Sequence, residues 1–376
     1  QANRNSDVRG QAMGSMIHLA VGRLEVDWGK NWAFVDHSPL FQNVADLNKV
    51  PYYYAGDLIG SDFQGNSGFE TIVEYKEGLS KPLNEVADRL QLLGYTYTQC
   101  EKEFSYISEL NGFDETHFRF EDLRDALTSV DVSAISTNYG EGGDDFGKFF
   151  RREIAPRIGL QEYFRENPIN SFGVSEGMEN LSPYVILHLL SRNPSAKNVN
   201  VNWAFSDVEE GGYAERNDFV RPLDPTNRFL IVTEGSSDAA ILRHALNIRC
   251  PHINDFFDFV DMEDGYPFTG TGNLLKFVRG LISISVQNDV LVVLDNDAAG
   301  SETYQRFDQR NVPCNIRILK LPDLDDFRDF PTVGPTGQRN ADINNRAAAI
   351  ECYLDLDEDA VVRWTIYNRN LNRYHG

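Results

Sequence analysis

Two apolar runs, each ending in carboxylates, constrain this chain more than any other feature. Phe229-Leu230-Ile231-Val232 leads through Thr233 into Glu234-Gly235-Ser236-Ser237-Asp238, and Val290-Leu291-Val292-Val293-Leu294 leads into Asp295-Asn296-Asp297-Ala298-Ala299-Gly300. Uninterrupted apolar runs of this length read as buried strands. Ser236, Ser237 and Asp238, followed by an alanine- and leucine-rich stretch, read as the cap and first turn of a helix. In extended chain, residues two apart project the same way, so Asp295 and Asp297 face together and Asn296 faces away. Two such strands separated by helical segments predict parallel βαβ order. Their C-terminal ends then share one edge, where open α/β sheets bind ligands.

Glu234, Asp238, Asp295 and Asp297 are expected to converge on that edge. Converging carboxylates repel and do not all stay ionised unless a cation lies between them. An oxygen-only donor set suits Mg²⁺ or Mn²⁺ rather than zinc. The competing reading is that these acids are helix caps and turn formers, as Asp often is. That reading suits one acid better than several at the ends of two strands.

At 376 residues the chain is long for one domain and natural for two. Residues 1–15 are polar with no apolar signal core and read as a disordered lead, Met13 and Met16 being candidate natural starts. Residues 16–222 read as a mainly α-helical domain with a small β element, and residues 228–376 as an α/β domain with a C-terminal extension. The Pro-containing stretch Arg221–Asn227 lies between them. In the first part, Ile17–Val21 and Leu24–Trp28 predict a strand pair, residues 51–70 a loop, and Leu83–Leu93, Phe118–Val130, Phe146–Phe164 and Ser182–Leu190 helices. Asp27, Asp36 and His37 beside Trp28 and Trp32 are expected to be packed or surface polar residues. Gly140–Asp145 reads as an acidic turn without calcium-loop spacing, and Gly270-Thr271-Gly272 as a helix entry.

The net charge of −22 argues against a broad basic groove for nucleic acid, since phosphate binding relies on Lys and Arg. Solubility accounts for that charge, unless local basic patches, bound metal or a partner supply positive charge. Cys100, Cys250, Cys314 and Cys352 form no CxxC pair, and with no signal peptide they read as reduced thiols in a cytoplasmic protein. No apolar run approaches the roughly 20 residues of a membrane span, so no membrane partner is expected.

The pattern of apolar strand, Glu234-Gly235 and Asp238, then about 60 residues on an apolar strand, Asp295, Asp297 and Gly300, resembles the Toprim domain over roughly residues 228–325. Topoisomerases, bacterial primases, recombination mediators and overcoming-lysogenisation-defect nucleases share it. The whole chain resembles more narrowly the bacterial HEPN/Toprim-associated proteins, through Leu24–Asn31, Gly334–Gly337 and Asp342–Glu351. The resemblance implies a Rossmann-like parallel sheet, a divalent metal on these acids, Glu234 as general acid/base, and a role in anti-phage defence. The further acid of overcoming-lysogenisation-defect nucleases makes Glu351, on an expected helix Arg346–Tyr353, a fifth ligand candidate. The HEPN ribonuclease signature Arg-x4-6-His finds only Arg369 and His375, with no second helix to pair against.

Asn315–Pro322 reads as a further strand, and Lys320 at its end either stabilises charge on a reacting phosphate or is an ordinary surface lysine. The acids of Asp323–Asp329 resemble the cluster after the last Toprim strand and read equally as solvated surface. No winged-helix tyrosine or zinc site supports topoisomerase or primase, and Ala299 stands where a DxDx[TV] phosphatase needs Thr or Val. The expectation is a Mg²⁺- or Mn²⁺-dependent endonuclease acting on DNA, with RNA, including tRNA, as the competing substrate. A non-catalytic Toprim assembly module is the alternative. A homo-oligomer is among the expected partners, as is a separate ATPase or sensor, since no GxxxxGK[ST] occurs in the chain.

Overall fold

The computed structural model describes residues 14–55, 71–113, 117–135, 146–260, 271–307, 312–335, 337–357, 359–368 and 373–375. The chain forms two compact units, one up to Leu223 and one from Asp224.

The first unit is built on an antiparallel sheet. Strands β1 (Met16–Val21), β2 (Leu24–Lys30), β3 (Leu47–Ala55), β4 (Thr71–Pro82) and β5 (Asn200–Ala204) lie in the order β2-β1-β5-β4-β3. β1 alternates in the manner of a sheet with one core face, burying Ile17, Leu19 and Val21. Pro51 sits on β3, an edge strand, where its missing N–H breaks no central ladder. Between β4 and β5 run α1 (Leu83–Leu92), α2 (Tyr97–Asn111), α3 (Phe120–Ser129), α4 (Phe146–Phe149), α5 (Leu160–Glu166), α6 (Pro168–Glu179) and α7 (Pro183–Leu190); α8 (Ser206–Glu210) and α9 (Arg216–Phe219) follow β5. α7 buries every residue from Val185 to Leu190, the signature of a helix inside a core rather than on its surface.

Three expectations need correcting here. The small β element is a five-stranded sheet, and the segment read as a loop from residue 51 begins inside β3; residues 56–70 lie outside the described ones. The single helix expected over Phe146–Phe164 is broken. A π-turn segment, Phe150–Ile154, follows α4, and α5 begins only after Pro156 and Gly159, the latter at φ 73°. Proline and a left-handed glycine both stop an α-helix. The acidic turn Gly140–Asp145 and Gly270 lie outside the described residues.

The second unit opens with β6 (Phe229–Thr233), α10 (Ser236–Arg249), β7 (Phe257–Phe259), α11 (Thr271–Ser283), β8 (Val290–Leu294), β9 (Asn296–Asp297), α12 (Ala298–Arg306) and β10 (Ile316–Lys320). The sheet β10-β8-β6-β7 is parallel throughout, with Thr233 opposite Val293. Val232, Val292 and Leu294 are fully buried, together with Leu274 and Val278 of α11. Each such side chain contributes about 1.5–3 kcal/mol by leaving water. The chain then forms β11 (Phe330–Gly334), β12 (Gly337–Ala341), β13 (Ala347–Ala348), β14 (Val362–Arg363), β15 (Ile366–Asn368) and β16 (Arg373–His375). β11 pairs with β12 and β14, β15 with β16, and β13 returns to pair antiparallel with β9. That return corrects the helix expected over Arg346–Tyr353: Ala347 and Ala348 are strand, and only a 3-10 turn, Ile350–Tyr353, follows.

Candidate metal centre

The edge formed by the ends of β6 and β8 gathers the acids that the sequence singled out. Because the two strands are parallel and adjacent, Glu234 and Asp295 leave the sheet side by side. Glu234 Oε1 accepts the Asp295 amide at 3.0 Å. Asp238, in the first turn of α10, is buried and accepts the Gly235 amide at 3.0 Å. Asp297 caps α12 by accepting the Gly300 amide at 2.7 Å. Asp295 Oδ1 accepts the Ile350 amide at 3.0 Å, delivered by the turn that follows β13. Each of the four acids thus has a carboxylate oxygen fixed by a backbone N–H.

Gly300 is required by this packing. A Cβ there would lie 2.2 Å from the Asp295 carbonyl oxygen and 2.9 Å from Glu234 Oε1. Only glycine lets the first turn of α12 approach so closely.

The electrostatics follow from burial and like charge. Burial above all pushes the Glu234 carboxyl up to about 8; Asp297, Asp295 and Asp238 add repulsion, against the stabilising Asp295 amide. Burial likewise pushes Asp295 up to about 7, with Asp238, Asp297 and Glu351 adding to it and the Ile350 amide opposing. Asp238 is raised by burial and by Glu351, against the Gly235 amide and the Ser237 hydroxyl. Glu351, itself exposed on the 3-10 turn, thereby acts electrostatically on Asp238 and Asp295. Repulsion thus links Glu234 to Asp238, Asp295 and Asp297, and Glu351 to Asp238 and Asp295.

In kind, this donor set fits a hard divalent cation: oxygen only, rich in carboxylate, and partly removed from water. In arrangement, no group of three or more His, Cys, Asp or Glu side chains among the described residues is poised to hold a metal ion as it stands.

Lys320 is placed elsewhere. Its ammonium donates to Asn296 Oδ1, to Asn345 Oδ1 at 2.7 Å and to Asp323 Oδ1 at 3.1 Å. These groups lie on the side of the Asp295–Asp297 strand to which Asn296 points, away from the carboxylates. Strand alternation turned Asn296 away from the acids, but its partners, Asn345 and the stretch that brings the Ile350 amide, could not be assigned from the sequence, although Asp342–Glu351 was singled out there.

The Asp27–His37 group, in the first unit, is a packed polar cluster. His37 is 1% exposed, with Nε2 2.7 Å from Asp27 Oδ2 and Nδ1 3.1 Å from the Tyr184 hydroxyl. Asp36 pairs with Arg221, while Trp28 and Trp32 are exposed. All four cysteines are free. Among the described residues no helix is long and apolar enough to cross a membrane.

In comparison with known proteins, residues 13–227 match the family HEPN/Toprim N-terminal domain 1. No curated protein and no solved structure matches the chain. The family match spans more than half of the 376 residues and coincides with the unit built on the five-stranded sheet. The chain belongs to the HEPN/Toprim N-terminal domain 1 family.

Proposed function

We propose that the second unit is a Toprim domain and that the protein is a divalent-metal-dependent endonuclease, an effector of bacterial anti-phage defence, with DNA as its preferred substrate. The observation that carries this reading is the meeting of Glu234 and Asp295 at the ends of adjacent parallel strands, where burial and like charge favour a proton or a cation between them. The family of the first unit and the resemblance of the second to Toprim nucleases support it.

Asp238, Asp295, Asp297 and Glu351, with Glu234, would hold Mg²⁺ or Mn²⁺. When bound, such a cation polarises a phosphodiester and lowers the pKa of a coordinated water. Glu234, whose carboxyl burial raises to about 8, is suited to take or deliver a proton during cleavage. Gly300 lets the start of α12 pack against the hydrogen-bonded Glu234 and Asp295 without displacing either.

Incubation of the protein with plasmid, single-stranded DNA and total tRNA in Mg²⁺ or Mn²⁺ tests the reading. Glu234→Ala and Asp295→Ala are expected to abolish cleavage while unfolding remains cooperative; cleavage that persists in both sinks the assignment. Cleavage of tRNA alone would move the substrate to RNA. A second reading, a non-catalytic module that binds a partner such as an ATPase, draws on the lack of a ready-made metal arrangement among the described residues. Absence of any calorimetric heat with Mn²⁺ would favour it.

A further inference from the structure

The strand that carries Asp295 and Asp297 is held from behind by a polar network made by distant parts of the second unit. Asn296, between the two acids, is fully buried. Its amide nitrogen donates to Asn344 Oδ1 at 3.1 Å and to the Pro322 carbonyl at 3.3 Å. Its Oδ1 accepts the Asn345 backbone amide at 2.9 Å and the Lys320 ammonium. Lys320 in turn donates to Asn345 Oδ1 at 2.7 Å and to Asp323 at 3.1 Å, so the three donors of its ammonium are engaged. The Asn345 side chain also donates to Asp323 at 3.2 Å. The same stretch then pairs Ala347 and Ala348 with Asp297 and Asn296 and sends the Ile350 amide to Asp295.

A lysine with every donor committed on the far side of the strand is poorly placed to meet a substrate phosphate. A buried amide whose donor and acceptor are both satisfied is well placed to fix the rotation of its strand. Because side chains alternate, fixing Asn296 to the rear fixes Asp295 and Asp297 to the front. We propose that Lys320 is a positioning residue: with Asn345 it locks Asn296 behind the strand and thereby orients Asp295 and Asp297 for the divalent cation. This inference rests on the metal reading above. Groups that orient metal ligands from behind commonly set affinity, and their loss costs about 10- to 100-fold.

The test is calorimetric titration of Mn²⁺ into the full chain and into Lys320→Met, Asn345→Gly and the double variant, with thermal unfolding in EDTA alongside. Asn345 sits at φ 58°, so glycine removes its side chain without straining the backbone. Each single variant is expected to weaken Mn²⁺ binding about 10- to 100-fold. Asn345→Gly is expected to do so with little change in the metal-free unfolding midpoint. The double variant is expected to be hardly weaker than either single one, because both act through Asn296. Cleavage by the single variants should recover as Mn²⁺ is raised. Unchanged Mn²⁺ affinity in Asn345→Gly overturns the proposal, as does a Lys320→Met protein that binds Mn²⁺ normally yet fails to cleave at every Mn²⁺ concentration. Wild-type protein that gives no heat with Mn²⁺ overturns the metal reading itself, and this inference with it.

Discussion

In the first unit, Lys81 is 2% exposed and meets Asp46 at 3.0 Å and Glu85 at 3.4 Å. Arg89, fully buried, donates to the carbonyls of Pro39 at 3.0 Å and Phe41 at 2.8 Å. In the second unit, Glu234, Asp238 and Asp295 are gathered, and among the described residues no cationic side chain is one of the groups that perturb them. One region neutralises its buried charge with the chain's own groups, and the other concentrates one sign of charge. Desolvation is costly in both cases, so the difference lies in what completes the arrangement. The first is complete as it folds and acts as structure; in the second, burial and like charge favour the protonated carboxyls.

The largest expected effect probes that difference. Glu234, ordinarily at 4.5, is raised to about 8, and Asp295, ordinarily at 3.8, to about 7. Between the ordinary and raised values the metal-free folded protein binds more protons than the unfolded chain. The contribution of these two groups to stability is therefore full below about pH 4 and is lost as pH rises through 7 to 8. Urea unfolding of the second unit in EDTA is expected to weaken steadily from pH 5 to 8.5. Glu234→Gln or Asp295→Asn should flatten that slope, and Mn²⁺ should lift the alkaline end in the wild type. A flat profile in the wild type would erase the contrast between the units.

Lys81→Met examines the other side. Removing the cation leaves Asp46 without its buried partner, which is expected to cost about 3 kcal/mol in the first unit, regardless of Mn²⁺. A metal-sensitive loss would show that the two regions do not handle charge independently. Gly300→Ala carries the smallest effect on stability, about 1–3 kcal/mol, because the new methyl meets a backbone carbonyl that gives little. It sharpens the comparison by also misplacing Glu234, so cleavage should fall well beyond what the lost stability accounts for. Equal losses in both would make Gly300 a packing residue only.

The second unit's two central strands were legible because β6 and β8 are continuous apolar runs, a local signal. Their carboxylate ends could be placed from strand alternation alone. What escaped reading was set by pairing across the chain. β3 contains Tyr52-Tyr53-Tyr54 and Pro51, which look like loop until β4 supplies the partner. Arg346–Tyr353 is rich in alanine, a helix former, yet Ala347 and Ala348 become strand because Asp297 and Asn296 offer them a ladder. Lys320 could be placed at a strand end but not on a side of the site, because that depends on Asn296 and Asn345, 24 and 25 residues away. Segments 56–70 and 261–270 lie outside the described residues, and so do the loop and glycine-turn expectations that fall there.

The bond from Ile350 to Asp295 spans 55 residues, and that from Asp295 to Glu234 spans 61. Contacts so distant along the chain form late in folding, after the entropy of closing large loops has been overcome. On the ribosome, Asp295 emerges before Ile350, whose amide it accepts. The carboxylate edge is therefore completed only when the returning strand β13 docks on β9 and the Ile350 amide reaches Asp295.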